Sequence, residues 1–306
     1  MNSHFFAQLL VATVALATPL LLAALGELIS ETAGVINIEL EGMMLCGAFA
    51  AVWAAHGSGS VVVGFLAAAA GGLFLAAIHG ILCLFFRANQ VVSGIVLNIF
   101  ALGLTSFLLA TALGPTTSPV ATLHSLRVPM LADLPGVGKA FFDQNVVVYA
   151  AYLMIPCVWL LLNRSPLGLA LKAAGERPAA AESLGVRVTL TRWLALSICG
   201  VLAGLGGGLL ALAAIGFFTE NMTAGRGFIS LAAVIFGRWR TTGTAAAVVL
   251  FAAADGFQIR LQALGIVHIA PQFLVMLPYL VTLVALAGLM RRMRPPSALG
   301  VNYLSS

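Results

Sequence analysis

Three carboxylates stand close together in SETAGVINIELEGMMLCGA (30–48): Glu31, Glu39 and Glu41, with Asn37 between them. A carboxylate pair does acid–base chemistry when its surroundings keep one proton on and the other off. That work also needs a nucleophile, a histidine or a metal-ligand pattern alongside, and the segment supplies none. No catalysis is expected here. Ionisable groups at membrane depth are costly and face a cavity or an interface; in a water-exposed loop the same residues would do nothing specific. Gly34 and Gly42 bracket the polar piece, as expected of an interrupted helix. Asn37, Glu39 and Glu41 are therefore candidate lining groups of a solute path. Asn98, inside an apolar run, can bond either a solute or a neighbouring helix. Asp255, in LFAAADGFQIRLQ, reads in two ways: as a functional intramembrane carboxylate on the path, or as the partner of Arg260 near an interface.

Other chemistries fail on spacing. Lys139 in LPGVGKA would need Gly at 133 and Ser or Thr at 140 to cradle a phosphate, but Asp133 and Ala140 stand there. If ATP drives this protein, a partner chain hydrolyses it, and no cofactor is expected on this one. Cys46, Cys83, Cys157 and Cys199 lie in apolar runs without a CxxC or Cys/His pattern, so neither a metal site nor a disulfide framework is expected. They read as small packing residues.

The elements that must position these residues belong in lipid. Of 306 residues, 61% are hydrophobic and only 8% charged, where a soluble domain carries about 25% charged residues. So few charges cannot cover a water-facing surface. Apolar runs fall at 5–26, 42–56, 60–86, 91–114, 146–163, 192–216, 242–259 and 271–290, with a partial one at 228–236. Helix is the only sensible assignment, since a membrane barrel would show alternating ten-residue segments. The expected fold class is all-α: one polytopic transmembrane bundle over residues 1–306, with roughly 8–10 membrane segments, some broken or re-entrant. The first run has no Lys or Arg before it and reads as a retained span rather than a cleaved signal. Gly200, Gly204 and Gly208, with Gly206 and Gly207, bare one side of a helix; close helix packing is the simpler reading and gating the other.

The net charge of +5 does not point to nucleic acid, because the basic residues sit in short links between apolar runs. Arg164, Lys172, Arg177, Arg187 and Arg192 mark residues 164–191 and their edge as cytoplasmic, as do Arg87 and the closing Arg291, Arg292 and Arg294. The link 115–145 fits the outer face. Residues 1–86 contain no Lys or Arg, which leaves the side of the N terminus open.

The loop RSPLGLALKAAGERPAAAESLGVRVTLTR is locally organised. Pro178 suits the first position of a helix, the alanines that follow favour one, and Gly185 suits a left-handed stop. A short helix over 178–184 is predicted after an amphipathic lead-in from Leu167 to Ala174. Such a small protruding helix either docks on a partner or is an ordinary connection.

Here the sequence resembles a known family. LGLALKAAGERPAAAESLGV is similar to the ABC importer permease loop in which R-A-x-G-E-N-P-x-A-A ends in G-I, with Lys172, Arg177 and Val186 as departures. The opening GVINIELEGMMLCGAFAA, the stretches ANQVVSG and Leu97-Asn98, GRGFI at 225–229 and FGRW at 236–239 extend the likeness along nearly the whole chain. It is nearest the simple-sugar/nucleoside branch of the ribose, branched-chain amino acid and nucleoside permeases, with Glu39 standing where that pattern has Gly. The resemblance implies a permease in the bacterial inner membrane, and not an enzyme. Its partners would be a cytoplasmic ABC ATPase, a second permease and an extracytoplasmic binding lipoprotein. Leu167, Gly168, Lys172, Gly175, Glu176, Pro178, Ala180 and Gly185 would belong to the segment that engages the ATPase. The cargo implied is a nucleoside or simple sugar. A stand-alone secondary transporter is the alternative.

Overall fold

A computed structural model describes residues 3–114, 119–120, 122–264 and 294–303. The run expected at 271–290, with Arg291 and Arg292, lies outside the described residues.

The protein is a polytopic helical bundle. Its helices are α1 (Ser3–Thr32), α2 (Leu40–Ser58), α3 (Val61–Gly80), α4 (Gln90–Leu108), α5 (Gly138–Phe142), α6 (Val146–Arg164), α7 (Pro166–Glu176), α8 (Pro178–Ser183), α9 (Val188–Leu209), α10 (Arg226–Phe236) and α11 (Thr241–Leu264). Wider π-type turns, Ile81–Phe85, Leu109–Leu113 and Leu210–Ile215, prolong α3, α4 and α9. Six described helices are long and apolar enough to cross a membrane. A shorter apolar helix, α10, has 11 residues and a length of about 16 Å, half a crossing. Among the described residues the strands are confined to a small hairpin, Ser125–Arg127 against Asp143–Asn145.

α1 and α9 form the centre. In each, 67% of the spanning window is buried, against 28%, 28% and 22% in α3, α4 and α6, which therefore lie at the outside of the bundle. Small residues let α9 sit this deep. A Cβ on Gly204 would lie 2.2 Å from the Ala68 carbonyl of α3, and one on Gly200 2.6 Å from the Ala76 Cβ. Gly208 meets Ala68 on the same side, Gly207 would collide with the Met44 carbonyl of α2 at 1.8 Å, and Gly206 lies against Pro19 of α1. The predicted trio thus seats one neighbour, and the two glycines added between its members seat two more.

Gly207→Ala is expected to cost about 1–3 kcal/mol or more through overpacking and to deplete the monodisperse peak in size-exclusion chromatography. Gly103→Ala, where an added Cβ meets nothing within 4 Å, is the neutral control.

Orientation follows from two contacts. The Thr32 end of α1 packs on Gly175 of α7, while α1 also touches α5. α6, about 28 Å long, separates α5 from α7, so the Ser3 end of α1 lies on the face opposite α7 and α8. That face holds the hairpin, and the α7–α8 face holds Arg87, Arg164, Lys172, Arg177, Arg187, Arg238, Arg240 and Arg294, the cytoplasmic assignment by the positive-inside bias.

Candidate coupling surface and transport pathway

The irregular link 33–39 enters the bundle at depth, where each backbone polar group needs a protein partner. Gln90 Oε1 accepts from the Ile36 N–H at 2.8 Å, and Glu27 Oε1 from the Asn37 N–H at 3.2 Å. His79 Nε2 donates to the Ile36 carbonyl at 3.2 Å. Asn98 uses both ends of its amide here: Oδ1 accepts from the Gly42 N–H at 2.8 Å and Nδ2 donates to the Ile38 carbonyl at 2.9 Å. Its amide therefore pins the entry of α2.

The carboxylates predicted to line a path lie inside this packing. Glu41 accepts from the Thr223 hydroxyl at 2.6 Å, the Gly225 N–H at 2.8 Å and the Gly227 N–H at 2.6 Å. It thereby satisfies the exposed N–H groups at the start of α10 and meets the positive end of that helix. Gly227 is required: a Cβ there would lie 2.3 Å from the Glu41 nitrogen. Glu39 is fully buried, with Oε2 3.0 Å from His79 Nδ1 but out of line for a hydrogen bond, while Ser93 meets the same nitrogen at 3.2 Å. Asn37 Nδ2 donates to Met43 Sδ and Cys199 Sγ, and the Cys199 thiol donates to Glu27 Oε2 at 3.4 Å. Glu31 accepts from the Trp239 indole.

Asp255 requires a correction. It forms no ion pair with Arg260 among the described residues. Helical spacing placed Arg260 five residues on, whereas α10 packs directly on α11.

Asn37, Glu39, Glu41, Asn98 and Asp255 are thus spread through the helix contacts rather than around one opening. An open cavity of about 620 Å³ lies toward the outer face, between the ends of α2 and α4 and the segment 217–220. Val52, Phe217, Phe218 and Thr219 line it, with Ser106 donating to Glu220 Oε1 at 2.8 Å. Neither Ser106 nor Glu220 stood out in the sequence; the signal available was a Ser near the end of one apolar run and a Glu just past another. Among the described residues no cluster of three or more His, Cys, Asp or Glu is gathered for a metal.

On the cytoplasmic face, Ser165 caps α7 by accepting from the Gly168 N–H at 3.0 Å, and Pro166 follows at the first helical position. α8 has Pro178 at its own start, and Gly185 beyond it takes φ 87°, the left-handed stop. Leu171, Ala174, Gly175 and Ala181 are buried, while Leu169, Ala179, Ala180 and Leu184 face outward. The segment is strapped to the core. Arg192, 1% exposed, donates to the carbonyls of Ala33 at 3.1 Å, Ala174 at 3.3 Å and Val301 at 2.8 Å. Positive-inside counting treats Arg192 as one of five loop cations; the structure buries it as a hub. Residues 297–303 complete the strap: Ser297 donates to Glu176, Ala298 N–H to the Gly175 carbonyl, Gly300 N–H to the Gly34 carbonyl and Asn302 to the Arg87 carbonyl. The Tyr303 hydroxyl donates to Glu182, and that carboxylate holds the phenol above its ordinary value.

The described residues thus give six helices long enough to span, a half-length helix capped at depth and a cytoplasmic segment tied to the links. The sequence profile of the family described as branched-chain amino acid transport system / permease component matches residues 9–286. The chain belongs to that family. This permease is 36% identical to the guanosine ABC transporter permease protein NupQ of Bacillus subtilis (strain 168), over 96% of this chain and 95% of NupQ. It is 36% identical to the nucleoside ABC transporter permease protein NupC of Lactococcus lactis subsp. cremoris, over 98% of each chain. TsgC13 of Haloferax volcanii, whose name assigns it provisionally to glucose ABC transport, is 39% identical over 98% of each. No solved structure matches. The permease is accordingly a multi-pass subunit of an ABC importer in the inner membrane, and not an enzyme; the secondary-transporter alternative falls.

Proposed function

We propose that this permease imports a nucleoside, driven by a separate ATPase docked on α7 and α8. The observation that carries the coupling role is the handle itself. Ala179 and Ala180 are exposed on a short helix whose other side, Ala181, is buried, with Leu184 exposed just beyond it. Tyr303 of the 297–303 strap bonds Glu182 of that helix, and Arg192 of α9 ties α7, the α1 link and the strap together. A push on such a handle reaches the core without being absorbed by a slack loop.

The outer cavity supports the cargo class. Phe217 and Phe218 offer aromatic surface beside the Ser106, Thr219 and Glu220 oxygens, a combination that suits a base attached to a ribose. Relatives named for guanosine and nucleoside transport support the same class, and the relative named for glucose supports a sugar as the second reading. A binding protein would deliver the solute to this face. A second permease would close the path against α4, whose Ile95, Ile99 and Phe107 are exposed.

Two measurements test this. Proteoliposomes holding the complete transporter should accumulate radiolabelled guanosine only with ATP; accumulation of glucose without any nucleoside would transfer the assignment to sugars. Ala180→Asp with Leu184→Asp should leave thermal stability within about 0.5 kcal/mol, as for surface changes, yet abolish co-purification of the ATPase. Retention of the ATPase by that variant would place docking elsewhere.

A further inference from the structure

The cytoplasmic face contains a second cavity, of about 730 Å³, between the ends of α6 and α7 and the turn from α10 into α11. Its charged lining is Lys172, Arg238, Arg240 and Arg294 against Glu176. Glu176 is engaged by the Ser297 backbone N–H and hydroxyl. The ion pairs among the described residues involve none of the four cations. With four cations against one carboxylate, and Lys172 donating to Asn163 Oδ1 at 3.0 Å, the cavity holds an excess of positive charge.

The turn is built to keep it so. Arg238 and Trp239 take φ 57° and 53°, left-handed values that non-glycine residues avoid. This bend brings Arg238, Arg240 and the first residues of α11 onto one wall. Thr241, 3% exposed, lines that wall, and its hydroxyl has no hydrogen-bond partner among the described residues. The start of a 24-residue helix adds the positive end of its dipole. An oxyanion is the ligand that satisfies all of these at once.

Position selects among oxyanions. Trp159 and Trp239 line the cavity together with the cations, and Trp with Arg or Lys at helix ends marks the headgroup level of a bilayer. α6 is an outer helix, with only 22% of its spanning window buried in the bundle. Lys172 and Glu176 of α7 line the cavity but no described residue of α8 does, so it adjoins the handle without including the exposed alanines of α8. We propose that this cavity binds the phosphate of an anionic phospholipid from the cytoplasmic leaflet, with Lys172, Arg238, Arg240 and Arg294 supplying charge and Thr241 a hydrogen bond.

The test uses the complete transporter in nanodiscs of phosphatidylcholine with and without phosphatidylglycerol, followed by native mass spectrometry of lipid retained on extraction. Phosphatidylglycerol should be retained in preference to phosphatidylcholine. Retention should weaken about fivefold for each cation removed near the surface, hence about twenty-five-fold in Arg238→Gln/Arg240→Gln. Thr241→Val should weaken it without changing charge, and Arg240→Lys should keep most of it. Should the double variant fail to assemble, Arg240→Gln and Thr241→Val carry the same comparison singly. Equal retention of the two lipids overturns the proposal. Displacement by inorganic phosphate of all phosphatidylglycerol would keep the phosphate chemistry and overturn the lipid source. Loss of the ATPase with lipid retention unchanged would show a protein contact instead, and also overturns it.

Discussion

Glu41→Ala is expected to abolish uptake and to destabilise the permease by about 3–5 kcal/mol, the range for removing one side of a buried charged contact. Three donors depend on that carboxylate: the Thr223 hydroxyl and the Gly225 and Gly227 N–H groups. Without it they are buried unpaired at the start of α10, each costing about 1–3 kcal/mol. Water cannot fill in easily, because Gly227 touches the Glu41 backbone. Glu41→Gln keeps the shape and an acceptor but loses the charge that faces the helix end, so it should retain part of the activity. Thermal unfolding in detergent and guanosine uptake measure the two effects. A fully active Glu41→Ala variant would mean that α10 holds its position without a cap.

Arg192→Met should have the second largest effect, again about 3–5 kcal/mol, because three carbonyls from separate parts of the chain lose a charged donor. Those carbonyls belong to Ala33, Ala174 and Val301, the α1 link, the handle and the strap. The informative readout is coupling. ATP hydrolysis by the transporter should persist at its basal rate but no longer rise when the loaded binding protein is added. If stimulation survives in Arg192→Met, force reaches the core by another route, through Gly175 against Thr32.

The sequence discloses what is local. Hydropathy marks the spans because lipid must be met by about 20 apolar residues in a row. Pro178 and Gly185 mark the ends of a short helix because both act through their own backbone angles, and α8 runs from Pro178 to Ser183. What stays hidden is pairing at a distance. Glu41 and Gly227 lie 186 positions apart and Arg192 and Ala33 159 apart, and no period or spacing links them. Read singly, Glu41 is a polar residue awaiting a solute and Arg192 a loop cation awaiting water. Asp255 shows the opposite error, in which a nearby Arg260 looks like a partner but forms no ion pair with it among the described residues. Lys172, Arg238, Arg240 and Arg294 are likewise scattered over 123 positions and gather only in the fold.

The capped half-helix bears on what the path admits. Broken helices in transporters commonly offer their positive ends to an acidic group of the cargo. Here that end is already neutralised from within by Glu41. An anionic or zwitterionic solute would find a resident competitor in place of a vacant receptor, whereas an uncharged one has nothing to displace. Discrimination against acids would then come from the scaffold's own counter-charge, before any contact with the solute is made.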